Sequence, residues 1–348
     1  MMRCFRCNED EIEREKAVMR NGRLLLEKKI AINDGRGNPI RSFSIQDLNN
    51  ATNNYNRNQL VFHGALYKLY RGFLHRPVIV KRYNKGENFL EESINDIVFS
   101  SQLSVHKNVL KLLGCCLESP IPILVYEVAE KGTLHDYIIR DRSRKKFQPL
   151  SWRNRLKIAI DLANVIAYLH TAFPRPILHR NITSQHILLD EDYRAKLSEF
   201  SFSMLIPEGE THIRDAICCG TTGYIAPENF AEGKINEKVD VFSFGVLLLM
   251  LLTGKRPLEI LDYGTGLYFF EVLEKCVKEN ERIDNLMDPI IVEEGTWSGK
   301  EQQLKAYANL TLQCLQYRGE DRPEITDVGK QLSQIYQFLL ISTCVRQA

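Results

Sequence analysis

No apolar stretch in this sequence is long enough to cross a bilayer. The longest run, Val246 to Leu252, falls far below the roughly 20 residues that a membrane span requires. No apolar N-terminal region precedes a small-residue cleavage site, so the chain reads as cytoplasmic, without a transmembrane segment. An excess of one charge is missing as well. With 46 basic and 44 acidic side chains the formal net charge is +2, and no nucleic-acid partner is expected, because such binders carry a clustered basic surplus. Paired cysteine spacing is also absent. The nine cysteines stand at Cys4, Cys7, Cys115, Cys116, Cys218, Cys219, Cys276, Cys314 and Cys344, which fits a reducing compartment and gives no metal site. Cys4-Phe5-Arg6-Cys7 is a CxxC without a second pair or a histidine at ligand spacing. Beside Arg3 and Arg6, these two cysteines are candidates for palmitoylation, which leaves peripheral attachment at the plasma membrane open; Met2 in place of Gly excludes N-myristoylation. A single reversible lipid would anchor only weakly.

What is present is a chain of 348 residues, enough for two domains or one large two-lobed unit. Residues 1–44 read as an N-terminal arm, with a charged, helix-favouring stretch from Glu9 to Lys29 and a breaker cluster at Asn33-Asp34-Gly35-Arg36-Gly37-Asn38-Pro39. Ser44 then offers an N-cap for a short helix with apolar spacing at Ile45, Leu48 and Ala51. Between Leu60 and Val128 the pattern turns to short β-rich runs around one helical segment near Leu90 to Leu103. From Gly132 onward helical spacing dominates. Trp152 to His170 repeats apolar residues at the helical period, and Val239 to Leu252 is apolar almost all round, as a helix buried inside a large domain would be. The expected divisions are an arm (1–44), a small β-rich lobe (45–128), a larger helical lobe (129–340) and a tail (341–348). The basic run Arg140 to Lys146 reads as a solvated loop.

Several signatures occur in order. Val78-Ile79-Val80-Lys81 has the form of a strand carrying an ATP-contacting lysine; Ala226-Pro227-Glu228, Asp240 in "VDVFSFG" and Arg322 in "DRP" follow. Over residues about 45 to 340 the chain resembles a protein kinase. The resemblance implies an α+β, bilobal protein-kinase-like fold, with a small β-rich N-lobe holding one main helix and a larger α-helical C-lobe. The stretches "FSIQDLNNATNNY", "LLGCCLE", "AYLHTAFPRPILHR" and "LLTGKRP" resemble the plant receptor-like cytoplasmic kinases, close to the wall-associated branch.

Phosphoryl transfer needs few protein parts, each with its own physical task. Counting back from Leu69-Tyr70-Arg71-Gly72, the three phosphate-cradling glycine positions hold Phe62, Gly64 and Tyr67, so two of three carry large side chains where backbone amides should approach phosphates. Lys81 remains, with Asp96 as its expected helix partner, one methylene shorter than the usual Glu. In "ILHRNITSQHILLD" His179 and Arg180 hold their places, but Asn181 occupies the acceptor-proton position. A neutral amide cannot take a hydroxyl proton, and general-base catalysis is commonly worth about 10²–10⁴ in rate. Thr183 stands where a lysine would contact the transferring phosphate. His186 replaces the metal-binding Asn, and its imidazole suits Mg²⁺, a hard cation that prefers oxygen, poorly. The DFG position reads Glu199-Phe200-Ser201, which keeps a carboxylate and loses a glycine. Lys81, Gly64, Asp96 and Glu199 are therefore the residues of a residual nucleotide site, and no metal site and no required cofactor are expected.

Taken with the short arm, "YKLYRG" and the altered HRD and DFG, the chain is similar to the HopZ-ETI-deficient-related pseudokinases. That resemblance implies an adaptor or decoy in plant immunity that docks on the leucine-rich-repeat region of a nucleotide-binding immune receptor and senses pathogen effectors or the kinases they modify. The activation segment, about Glu199 to Glu228, would be the sensing element, with Thr211, Thr221 and Thr222 as hydroxyl acceptors for modification. Ile206, Ile213, Leu258, Ile260 and Leu261 are candidates for docking surface. Two alternatives stay open at this point: a module that binds ATP weakly and switches conformation without transfer, and a low-activity Ser/Thr kinase using Lys81 and Glu199.

Overall fold

The computed structural model describes residues 2–33, 38–84, 89–139, 148–214, 216–231, 233–260, 274 and 286–344. The basic run 140–146 and Leu261 lie outside these residues, and the side chains of Cys4, Cys7, Leu258 and Ile260 are likewise outside the description. The chain forms two compact units, one of Met1–Ala129 with Ser198–Ser203, the other of Glu130–Leu197 with Met204–Ala348.

The first unit runs α1 (Met2–Asn33), β1 (Arg41–Ser42), α2 (Ile45–Ala51), β2 (Leu60–His63), β3 (Tyr67–Phe73), β4 (Pro77–Tyr83), α3 (Leu90–Leu103), β5 (Leu112–Cys116) and β6 (Ile123–Tyr126). Six strands form one sheet in the order β1-β5-β6-β4-β3-β2, antiparallel except for the parallel pair β1–β5. Ser44 caps α2 as its sequence suggests: its Oγ accepts from Asp47 N at 3.1 Å, while the Asp47 carboxylate accepts from Ser44 N at 3.0 Å, a reciprocal capping box. Side chains alternate across a strand. Val78 and Val80 of β4 join Phe43, Leu48, Cys116, Ile123 and Val125 in one apolar cluster, which turns Ile79 and Lys81 to the opposite face. β1 can lie against β5 only because residue 114 is glycine. A Cβ there would meet the Arg41 carbonyl and stand 2.6 Å from Phe43 Cε2.

The arm is docked rather than loose. α1 packs on α3, and Asn21, fully buried, donates from Nδ2 to the carbonyls of Leu117 (2.9 Å) and Ser119 (2.8 Å). Arg20 adds a bond to the Pro120 carbonyl, and Ala17 fills the contact beneath.

The second unit contains β7 (Gly132–Thr133), α4 (Leu134–Ile138), α5 (Trp152–Thr171), β8 (Ile177–Leu178), β9 (Ile187–Leu189), β10 (Ala195–Leu197), β11 (Met204–Leu205), α6 (Glu228–Ala231), α7 (Lys238–Thr253), α8 (Pro257–Ile260), α9 (Pro289–Glu293), α10 (Lys300–Cys314) and α11 (Ile325–Cys344). α7 is buried on almost every side, as its apolar run Val246 to Leu252 requires. α10 packs on α7 so closely that a Cβ at Gly245 would lie 2.8 Å from Cys314 Cβ. α5 packs on α11, with Ser151 as its N-cap. Arg155 is fully buried in α5 and satisfied by Asp288 (2.6 Å) and the carbonyls of Leu150 and Leu251. Ile206 and Ile213 are not docking surface. They sit in an apolar cluster with Leu178, Ala226, Ile235 and Val239, because the segment that carries them folds back onto the unit through a β-bridge between Ile213 and Ile235.

Candidate nucleotide site and catalytic loop

Within the first unit the sheet and α3 bring three charges together in the interior. Lys81 Nζ donates to Asp96 Oδ2 at 2.7 Å and to Glu199 Oε2 at 2.5 Å, and none of the three residues is more than 3% exposed. The shorter Asp96 therefore reaches the lysine as a glutamate would. Its carboxylate also accepts from Tyr126 Oη (3.0 Å), Ser100 Oγ (3.0 Å) and Phe200 N (3.1 Å), so its lone pairs are satisfied away from water. Burial disfavours the charge on Lys81, but Asp96 and then Glu199 outweigh it and hold its pKa above the ordinary lysine value.

Glu199 adopts a left-handed backbone (φ +73°) and turns inward. Oε2 goes to Lys81 and Oε1 accepts from Ser201 Oγ, so the side chain at the metal-binding acid position is spent on protein partners. Asn95, next to Asp96, holds the following residues in place: its Nδ2 donates to the carbonyls of Phe200 (3.2 Å), Ser201 (2.8 Å) and Ser203 (2.8 Å).

The turn between β2 and β3 is closed on itself. Gly64 N donates to Tyr67 O at 2.9 Å, and Asn84 Nδ2 bonds the carbonyls of Gly64 (3.1 Å) and Ala65 (2.6 Å). Phe62 lies against Gly64, where a Cβ would approach Phe62 Cε1 to 2.7 Å, and the Phe62 and Tyr67 rings pack at 5.6 Å, tilted by 40°. Tyr67 turns inward over Lys81, 4.0 Å from ring centroid to Nζ. Burial, followed by the neighbouring Glu199 carboxylate to which it is hydrogen-bonded, pushes the Tyr67 pKa well above the phenol value, so it stays a neutral donor. These residues do not fit a nucleotide triphosphate with its metal ions. The amide that should face phosphate is bonded internally, the lysine is enclosed, and the acid is engaged.

In the second unit, Asp240 organises the loop after β8. Its carboxylate accepts from the backbone N–H groups of His179 and Arg180, both at 2.8 Å, and is bonded to His170 Nε2 at 3.0 Å. Burial opposes its ionisation. The hydrogen bond and charge of His170, then His179, prevail and hold its pKa below the carboxylate norm. Arg180, with φ +67°, donates to Ile217 O at 2.6 Å and so ties the loop to the activation segment. Asn181 is buried, and its Oδ1 accepts from Thr221 Oγ at 2.9 Å. His186 Nδ1 bonds the Asn181 carbonyl at 2.9 Å, and because a carbonyl only accepts, this nitrogen carries the proton. That leaves Nε2 as the acceptor nitrogen of the ring, a donor type that suits the hard Mg²⁺ ion poorly. Thr183 is buried and its hydroxyl has no partner among the described residues, so nothing there can contact a transferring phosphate as an ammonium would. Thr211 is exposed and bonded to His212 Nδ1 at 2.6 Å, Thr222 is exposed, and Thr221 is half-buried.

Arg322 completes the arrangement with a bidentate pair to Glu228, at 2.6 and 2.8 Å. The Lys81–Asp96 pair, the aspartate that receives the loop backbone and the Glu228–Arg322 clamp are parts of the protein-kinase class. The chain belongs to that family: the model for protein tyrosine and serine/threonine kinases matches residues 58–332. Among curated proteins it is 39% identical to the serine/threonine-protein kinase ZRK1 of Arabidopsis thaliana, over 93% of this chain and 94% of that protein. It is 37% identical to the non-functional pseudokinase ZED1 of the same plant, over 91% and 95%. Wall-associated receptor kinase-like 1 is 38% identical over 92% of this chain, which spans 43% of that longer protein.

Sequence reasoning named Lys81, Asp96 and Glu199 and the altered loop positions, but missed Asn95, the inward turn of Tyr67 and the Thr221–Asn181 bond. The bulk of Tyr67 at a glycine position was the one available signal for the second. For Asn95 and Thr221 no pattern existed, since both act through long-range backbone or loop contacts.

Proposed function

We propose that this chain is a pseudokinase that works as an adaptor or decoy in plant innate immunity. In this role it docks on a nucleotide-binding leucine-rich-repeat receptor and presents its activation segment to pathogen effectors. The observation that carries the loss of chemistry is Asn181. The position that should take the acceptor proton holds a neutral amide, and its oxygen already accepts the Thr221 hydroxyl hydrogen. His186 and Thr183 remove the metal and phosphate contacts on the same loop, and five altered parts serve one transition state. Similarity to ZED1 and to ZRK2, both named non-functional pseudokinases, supports the reading. So does the retention of structural clamps such as Glu228–Arg322, which a chain selected for shape and surface keeps. Thr211 and Thr222 are the accessible hydroxyls of the segment, and their modification would alter a surface that biases a receptor's conformational equilibrium.

The similarity to ZRK1, named a serine/threonine kinase, favours a low-activity enzyme as the second reading. Phosphotransfer from labelled ATP with Mg²⁺ or Mn²⁺ separates the two. The expected result is incorporation equal to that of Lys81→Met, unchanged by the pair Asn181→Asp and His186→Asn. Incorporation that depends on Lys81 and rises with the restored loop restores the enzyme. The adaptor role is tested by calorimetric titration of the purified chain with the leucine-rich-repeat domain of a receptor from the same plant. Saturable binding supports it, and no heat with any such receptor of that plant removes it.

A further inference from the structure

An ammonium has three N–H donors and no acceptor. Two directions around Lys81 Nζ are taken by Asp96 and Glu199, and a third is covered by the face of Tyr67, whose π-cloud attracts a cation. In an active kinase the corresponding lysine meets the glutamate of the helix on one side and the α- and β-phosphates of the nucleotide on the other. Here the side that should meet phosphate meets a ring. The ring is not a loose surface group. Tyr67 is 6% exposed, Phe62 packs against it with a tilted ring at 5.6 Å, and Tyr83 flanks it at 6.1 Å while also lying 4.8 Å from Nζ.

We infer that Tyr67 is a built-in substitute for the nucleotide: its side chain occupies the ligand position on Lys81 and is the residue that denies ATP to this chain. Three features of the first unit argue for occupation rather than mere crowding. The phenol reaches Glu199 with its hydroxyl while its face covers the ammonium, so one side chain satisfies both charges. The polypeptide turn that would wrap phosphate is bonded to Tyr67's own carbonyl through Gly64 N. The lysine is held by two buried carboxylates, Asp96 at 2.7 Å and Glu199 at 2.5 Å.

A ligand that needs the ring displaced binds in proportion to the fraction of molecules in which the ring has moved away. A desolvated cation–π contact of roughly 2 kcal/mol corresponds to a penalty of about 30-fold in affinity. The inference deepens the pseudokinase reading and rests on it.

The test is titration of the full chain with ATP, with and without Mg²⁺, by calorimetry and by thermal shift. The proteins are the wild type, Tyr67→Phe, Tyr67→Val, Tyr67→Gly and Tyr67→Val with Lys81→Met, each first shown to unfold cooperatively. Tyr67→Val keeps a β-branched residue in β3 and guards against loss of fold in the glycine variant. The expected result is a gain of about 30-fold or more in ATP affinity for Tyr67→Val or Tyr67→Gly over wild type, no gain for Tyr67→Phe, and loss of the gain when Lys81 is removed. Two outcomes overturn the inference while leaving the pseudokinase reading intact: a wild type that binds ATP as tightly as Tyr67→Val, or folded small-residue variants that gain nothing. Failure of the reading itself would appear elsewhere, as Lys81-dependent phosphotransfer by the wild type.

Discussion

Asp96 shows how much one carboxylate can be asked to hold. It partners a buried lysine, accepts a phenol and a serine hydroxyl, and receives the backbone N–H of Phe200. Removing Asp96 leaves Lys81 with Glu199 as its remaining carboxylate and strands the buried donors of Tyr126, Ser100 and Phe200, and an unsatisfied buried donor typically costs about 1–3 kcal/mol. Asp96→Ala is therefore expected to lower unfolding stability by that amount in urea denaturation, through the midpoint and not the slope. The loss should be smaller when Lys81→Met is added, since the ion pair between the lysine and Asp96 is then already gone. Equal losses in the two backgrounds would show that Asp96 acts through Tyr126, Ser100 and Phe200 and not through the lysine.

At the level of elements, the helix that precedes the family's matched region is part of the first unit. Its attachment depends on Asn21, which bridges two carbonyls of the turn after β5 from a position with no solvent contact. Leaving a buried acceptor unsatisfied costs about 1–3 kcal/mol, and these part-buried carbonyls fall at the low end of that range. Asn21→Ala should accordingly raise amide exchange across Glu11 to Lys29 while exchange in β4 and α3 changes little; a uniform rise across the unit would mean that α1 and the sheet unfold together.

How far such elements were legible in the sequence depends on the range of the interactions that make them. Ser44 and Asp47 announce their helix within four residues, and Val239 to Leu252, apolar almost all round, announces burial, because both signals are local. Lys81 and Asp96 were legible because strand and helix each have a recognisable pattern. The docking of α1 was not. In a charged helix with asparagines at 8, 21 and 33, nothing marks Asn21 as the one that will meet carbonyls nearly a hundred residues on. Ile206 and Ile213 misled for the opposite reason: apolar residues in an irregular segment look the same whether they face a partner or a core built by residues 178, 226, 235 and 239.

For the whole molecule, acid stability is the accessible readout of Asp240. Its folded pKa is depressed below the ordinary 3.8, so the stability it confers is fully present above that value and is lost as pH falls through it toward the folded pKa. Melting temperature should therefore drop steeply below about pH 4, and Asp240→Asn, less stable at neutral pH, should show a shallower drop. Parallel curves for the two proteins would assign the acid transition to other carboxylates.

The short parallel pair β1–β5 bears on how the protein can be cut. The residues that match the kinase family begin at 58, after α1, β1 and α2. A fragment trimmed to that start would uncover the outer edge of β5, the carbonyls that Asn21 satisfies, and the apolar patch of Val78, Val80 and Cys116 that Phe43 and Leu48 cover. A bare strand edge beside exposed apolar surface is a template for pairing with another chain. Residues 58–332 alone are thus expected to self-associate in gel filtration and light scattering at concentrations where the full chain does not. The first 57 residues are thus expected to act as a molecular edge guard, whose loss by proteolysis would leave an aggregation-prone remainder.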